Sequence, residues 1–338
     1  MAMHVEGGWG ELNTRGFVVV RNFLSQESLS MVLKPYLGKI KGERFEFHPA
    51  RLLGPEGVAA VTYLEGRVRE LFPEIEAGSG LHLTTFDPFS TFFPNNYDGV
   101  EKRSPPAGWH SDPPPYHLFQ DMSQYLNCWI PLIKPKADTS GLTLLPMDAL
   151  RQADPAIYEA IHRHGGAAFA SRKLLPGAPG YWHSHRNYER EVLVIDRDGE
   201  LDYITPKIDV DTISVTPDIL PGDVIFARGD VMHRAQDQLT NRVAISVRSV
   251  NGDMKVHKEF LRRLPEFWRK GLANPEHHFG AALLAAFSFH GRETLTVQEV
   301  LDYLTAVFRR SPAEVAVAEA TKGELLSILG LTEYGVIV

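Results

Sequence analysis

Apolar and polar positions alternate along two stretches regularly enough to assign each a buried and a second face. Tyr125-Leu-Asn-Cys-Trp-Ile-Pro-Leu132 puts Asn127 and Trp129 on one side of a strand and Leu126, Cys128 and Ile130 on the other. Arg242-Val-Ala-Ile-Ser-Val-Arg248 does the same, setting Arg242, Ala244, Ser246 and Arg248 against Val243, Ile245 and Val247. The polar side of that second strand must look into a wet cavity or out to solvent. The β-branched run Phe17 to Val20 predicts a further strand, and Ser25 offers an N-cap for a helix reaching about Leu37. His82 to Phe86 reads as a strand. Prolines and asparagines across 87–109 predict a long loop, and Pro221-Gly222-Asp223 is a turn leading into the short apolar strand Val224-Ile-Phe226.

The last eighty residues follow a helical period instead. Phe260, Leu261, Leu264 and Phe267 predict a helix over Lys255 to Lys270. Thr296-x-x-Glu299, Ser311-x-x-Glu314 and Thr321-x-x-Glu324 are three capping boxes, each expected to start a helix. Leu301, Leu304, Val307 and Phe308 share one face, which must pack on the sheets or on a second copy of the chain, so a homodimer through the C-terminal helices is one expectation.

Composition narrows the function classes. A chain of 338 residues with 43% hydrophobic content can bury a large core. Its net charge of −7, with both signs interspersed, supplies no basic stripe, so no nucleic-acid partner is expected. No apolar run reaches membrane-spanning length and the N-terminal residues lack a signal-peptide pattern, which predicts a cytoplasmic protein without a membrane partner. The single cysteine, Cys128, excludes an intrachain disulfide and reads as a small buried hydrophobe.

The chemistry concentrates in two segments. Gly108-Trp109-His110-Ser111-Asp112 supplies an imidazole and a carboxylate, and the segment after Phe226 supplies His233 and then Arg242. Two histidines and one aspartate can occupy three facial positions on Fe(II) and leave the rest open for a cosubstrate and O2, while an arginine can pair with a dicarboxylate. A lone His-x-Asp is a weak motif among 14 histidines; the turn, strand and second strand around His233 are what strengthen it. Proline flanks His110 on both sides, stiffening the chain there outside regular structure. Residues 150–205 read as an insertion, a lid or pocket wall, holding Tyr181-Trp182-His183-Ser184-His185. Its paired imidazoles have no carboxylate at useful spacing, and His162 and His164 read as solvated.

His110-x-Asp112, His233 and Arg242 together resemble the phytanoyl-CoA dioxygenase-like family of Fe(II)/2-oxoglutarate-dependent oxygenases. The opening Gly16-Phe-Val-Val-Val-Arg-Asn-Phe-Leu-Ser25, and Trp129-Ile-Pro-Leu followed by Ser140-Gly-Leu142, are similar to that family as well. Leu145-Pro-Met-Asp148 departs from it, standing where many members carry Pro-Gly-Ser-His.

The resemblance implies a mainly β chain with flanking helices, a double-stranded β-helix, or cupin-like jelly roll, over 1–254; it covers little of the last eighty residues, where the helical period predicts a helical C-terminal extension over 255–338. It implies His110, Asp112 and His233 as catalytic and metal-binding residues for Fe(II). The far carboxylate of 2-oxoglutarate would pair with Arg242, or with Arg248, which shares its face. Ser246, Asn127 and Trp129 would line the cosubstrate site, Trp129 having the alternative of only filling the core. Tyr116, His117, Trp182 and His183 are candidate substrate contacts. A small-molecule substrate would be oxidised with O2, hydroxylation being the default outcome and succinate and CO2 the by-products. Retention of Asp112 argues against halogenation, because halogenating relatives replace that carboxylate. A cupin-like metalloenzyme without 2-oxoglutarate and a non-catalytic small-molecule-binding barrel are the alternatives.

Overall fold

The computed structural model describes residues 2–37, 48–49, 54–86, 90–95, 109–111, 122–164, 167–169, 192–195, 201–204, 207–236, 242–259 and 279–309. Fifteen strands are described within it. They are β1 (His4–Val5), β2 (Phe17–Arg21), β3 (His48–Pro49), β4 (Thr85–Phe86), β5 (Thr91–Asn95), β6 (Tyr125–Ile133), β7 (Leu142–Leu144), β8 (Ala167–Phe169), β9 (Val192–Ile195), β10 (Leu201–Ile204), β11 (Val224–Arg228), β12 (His233–Ala235), β13 (Arg242–Val250), β14 (Lys255–His257) and β15 (Thr294–Thr296). The helices are α1 (Glu11–Thr14), α2 (Gln26–Leu37), α3 (Pro55–Arg69), α4 (Phe72–Ser79), α5 (Met147–Ala153), α6 (Pro155–His164), α7 (Phe279–His290) and α8 (Val297–Arg309).

The large sheet runs β1-β2-β11-β6-β13-β5-β3, with β4 also on β13, and every pairing in it is antiparallel. Pairing of β7 with β12 makes a smaller ladder. Isolated bridges extend that ladder to His110 on one side and Val215 on the other. Strands β8, β9 and β10 form a three-stranded sheet.

The period-2 pattern sorts the core as predicted. Leu126, Cys128, Ile130, Val243, Ile245 and Val247 lie in one cluster with Leu29, Val32 and Val61 of α2 and α3, so the helices cover that face. Trp129, Ile225, Ala227 and Ala244 lie in another with Leu144 of β7, the filling between the large sheet and the small ladder. Behind the ladder, Trp109 and Met232 pack on Leu150, Ile157 and Ile161 of α5 and α6. The order from front to back is helices, large sheet, small ladder, helices.

Several expectations hold in detail. Ser25 Oγ accepts from Ser28 N at 3.2 Å at the start of α2, and Cys128 is fully buried. Gly222 takes φ +98° in the Pro-Gly-Asp turn, where a Cβ would meet the Leu24 carbonyl at 2.8 Å. Thr296 and Glu299 close their capping box reciprocally: Glu299 N donates to Thr296 Oγ1 at 3.1 Å and Thr296 N donates to Glu299 Oε2 at 2.8 Å.

Others are corrected. Residues 91–95 are a strand within the expected loop, because β13 offers a long unpaired edge; Pro94 is tolerated as β3 covers only Thr91 and Phe92. The strand expected over His82 to Phe86 shortens to Thr85–Phe86. Lys255–His257 is a strand, not the start of a helix, since β15 returns to pair with it. His162, expected to be solvated, is half-buried on α6 with its side chain only 8% exposed. The remainder of the expected helix to Lys270, and the capping boxes at Ser311 and Thr321, lie outside the described residues. Among the described residues no helix is long and apolar enough to cross a membrane.

Candidate metal and cosubstrate site

His110 and His233, distant in sequence, face each other as a reciprocal backbone pair: His110 N donates to the His233 carbonyl at 3.0 Å and His233 N to the His110 carbonyl at 2.9 Å. Their rings follow side by side, with centroids 4.6 Å apart and planes at 50°. Nδ1 of His233 stands 3.1 Å from the Val231 carbonyl. A carbonyl only accepts, so that contact holds the proton on Nδ1 and leaves the lone pair on Nε2, the form a metal ligand needs.

The residues beside the two histidines are locked as well. Trp109 Nε1 donates to Asp211 Oδ1 at 2.8 Å, Arg234 Nη2 lies 3.3 Å from the same oxygen, and the Arg234 guanidinium sits 5.3 Å from the Trp109 ring centre. Asp211 and Arg234 give no motif signal, because their partners are brought together only by the ladder.

His233 lines a pocket with Asn127, Trp129, Leu142, Leu144, Ala227, Arg228 and Gly229. Gly229 fits because a Cβ there would meet Tyr125 Cδ1 at 2.8 Å and Met122 at 2.9 Å. Deeper in the interior, the Arg242 guanidinium lies 5.3 Å from the Trp129 ring centre, and its Nη1 donates to the Ser140 carbonyl at 2.8 Å. Arg242 is 5% exposed and Arg248 9%. Trp129 therefore both fills the core and lines the pocket. Ser246 Oγ donates to Asn127 Oδ1, so the expected hydrogen bond from Ser246 to a dicarboxylate is already directed at Asn127.

Three further groups went unread in the sequence. Asp230 is buried and accepts both Arg228 Nε at 3.0 Å and Arg228 Nη2 at 2.6 Å, while His162 Nδ1 stands 3.2 Å away. Burial pushes the Asp230 carboxyl up, but His162 and Arg228 outweigh it and hold it well below the usual carboxylate range. Lys134 is the third, buried at the end of β6.

Asp112, Tyr116, His117, Trp182 and His183 lie outside the described residues. The described part of the site thus contains two of the three expected metal ligands, the candidate carboxylate-binding arginine and the wall between them.

No protein-family model and no curated protein matches the chain. Among solved structures it is similar to the non-heme alpha ketoglutarate dependent epimerase SnoN from nogalamycin biosynthesis, with a TM-score of 0.44 and 15% identity over 73% of this chain and 83% of that one. EvdO2 from Micromonospora carbonacea var. aurantiaca has a TM-score of 0.44 and 14% identity over 72% of this chain and 90% of its own. EctD from S. alaskensis, solved with 2-oxoglutarate and 5-hydroxyectoine, has 0.42 and 12% over 73% and 76%. At such TM-scores these are distant likenesses only.

Proposed function

We propose that the chain is an Fe(II)- and 2-oxoglutarate-dependent dioxygenase that oxidises a small organic substrate, by default through hydroxylation. The observation that carries this reading is the juxtaposition of His110 and His233 across a reciprocal backbone pair, with the Nδ1 proton of His233 directed at a carbonyl. Asp112, two residues beyond His110, is the third ligand in this reading. The sheet and ladder are then the two faces of a jelly roll spanning 1–254, with 255–338 as a C-terminal extension whose described part holds β14, α7, β15 and α8.

Fe(II) and 2-oxoglutarate would supply the electrons for O2 activation, releasing succinate and CO2. The chain's own residues do the rest. Arg242 pairs with the far carboxylate of the cosubstrate, and Trp129 supports the guanidinium from beneath. Asn127 forms part of the polar wall, while Leu142, Leu144 and Ala227 keep the pocket apolar elsewhere. Low local polarity strengthens the carboxylate pairing and excludes bulk water from the reacting centre.

The test is anaerobic addition of Fe(II) and 2-oxoglutarate to the purified chain. A weak visible charge-transfer band, followed by succinate release on admitting O2, is the expected result. Metal binding without either signal would move the protein to the cupin-like metalloenzymes that do not use 2-oxoglutarate.

A further inference from the structure

Strand β6 carries a bulge near its end. On β13, Ala244 pairs with Pro131 and Val243 with Ile133, so Leu132 is the extra residue. Leu132 and Ile133 consequently both pack toward the helix-covered face. An uninterrupted strand would send Lys134 to that face with Leu132; the extra residue reverses the alternation beyond it. Lys134 instead lies at the Ile219 side of the fold, 4% exposed, its Nζ donating to the Ile219 carbonyl at 2.8 Å and to the Ala137 carbonyl. Ile219 belongs to the same cluster as Trp129 and Ala244.

Arg242, one step before Val243, meets β6 at this point. The turn 134–141 connects the two cations: Lys134 holds the Ala137 carbonyl and Arg242 the Ser140 carbonyl. Ser140, buried and held at φ +50°, directs its carbonyl there at a cost in backbone strain. Lys134 forms no ion pair among the described residues; two of its three N–H donors meet neutral carbonyls. A buried ammonium whose hydrogen bonds reach only neutral carbonyls is costly. Burial lowers its pKa to about 8, Arg242 pushes it the same way, and Asp218, Asp138 and Asp223 oppose them from the flanking loops.

We propose that Lys134 is a second cation beside Arg242, on the Trp129 and Ala244 side of the large sheet, and that the pair makes the site selective for a short dicarboxylate over a monocarboxylate. This rests on the 2-oxoglutarate reading above and adds to it a specificity-determining residue. The carboxylate remote from the metal accepts from Arg242 and from the third N–H of Lys134. A 2-oxo acid lacking that carboxylate leaves the third N–H of Lys134 without an anionic acceptor.

Isothermal titration of the Mn(II)-loaded full-length chain under nitrogen tests this, with 2-oxoglutarate and 2-oxobutyrate as probes. Lys134→Gln, which keeps a hydrogen-bond donor but loses the charge, should weaken 2-oxoglutarate about tenfold or more while leaving 2-oxobutyrate and Mn(II) affinity unchanged. Lys134→Arg should restore part of the preference. In the wild type, where folding is not in question, the preference for the dicarboxylate should fall as pH rises above about 8 and deprotonates Lys134. Equal losses for both acids in Lys134→Gln, or a wild-type preference that stays flat through that range, would overturn the proposal. If 2-oxoglutarate binding depends on Arg242 and is indifferent to Lys134, this inference fails alone. If the wild type binds no 2-oxo acid, the cosubstrate reading fails with it.

Discussion

The Val231 carbonyl, 3.1 Å from Nδ1, decides which nitrogen of His233 remains a base. Alanine at His110, Asp112 or His233 should each remove nearly all 2-oxoglutarate-dependent turnover and weaken iron binding, since in the proposed function each takes away one of three facial ligands. Circular dichroism should show the fold retained, and full turnover in any variant would remove that residue from the ligand set. Arg242→Ala should instead spare the metal and weaken 2-oxoglutarate by about 2–5 kcal/mol, because a buried charge-assisted pair is broken. Arg248→Ala is the control in the same titration, and a larger loss there would transfer the carboxylate contact to Arg248. His110, His233 and Arg242 stand out as candidates in the sequence because the signals are local: a His-x-Asp, a turn and a strand with one polar face; the structure brings the two histidines together and sets Arg242 beside Trp129. Lys134 and Asp211 are not. One is redirected by a bulge that strand periodicity does not announce, and the other gains its role from Trp109 and Arg234 across the fold. His162 was misread for a similar reason, since the buried Asp230 beside it lies in the turn between β11 and β12, far along the chain.

At the scale of elements, period-2 alternation placed β6 and β13 with the correct faces, because both are long and covered on one side by helices. Short strands were harder: β5 contains Pro94, and β14 exists only because β15 returns to it. The start of α8 was readable since its cap is written in four consecutive residues, and it gives a prediction with a pH sign. Glu299 is held down at about 2, chiefly by the Arg292 guanidinium and then by the Thr296 backbone N–H. A depressed carboxyl contributes stability that is present above the unfolded value of about 4.3 and is lost as pH falls through the folded value. Thr296→Ala should cost about 1 kcal/mol at neutral pH in urea unfolding. The gap between wild type and Glu299→Gln should narrow between about pH 5 and pH 2. A gap that stays constant over that range would mean the carboxylate contributes through shape and not through charge.

For the whole molecule, the question is how the C-terminal segment is joined to the sheets that carry the site. Strand β14 follows the end of β13 across a short turn, and β15 pairs with it from Lys255 to His257. Val297 N donates to the Met254 carbonyl at 2.8 Å and Gln298 N to the Gly252 carbonyl at 2.9 Å. Leu295, Val297, Val300 and Leu301 are each 1% exposed or less, so the start of α8 is packed on the fold and not appended to it. Deleting residues beyond 290 would strip β14 of its partner and uncover the apolar surface those four side chains bury. The pairs that bring His110 to His233 and Trp129 to Arg242 lie in the ladder and the large sheet, and none runs through the deleted segment. The truncated chain should therefore aggregate or change its oligomeric state, and unfold at lower temperature, before its iron affinity changes. Light scattering and an anaerobic iron titration on the same preparation separate the two effects. A truncated chain that stays soluble at unchanged mass and yet loses iron or cosubstrate binding would place the C-terminal segment in the site itself.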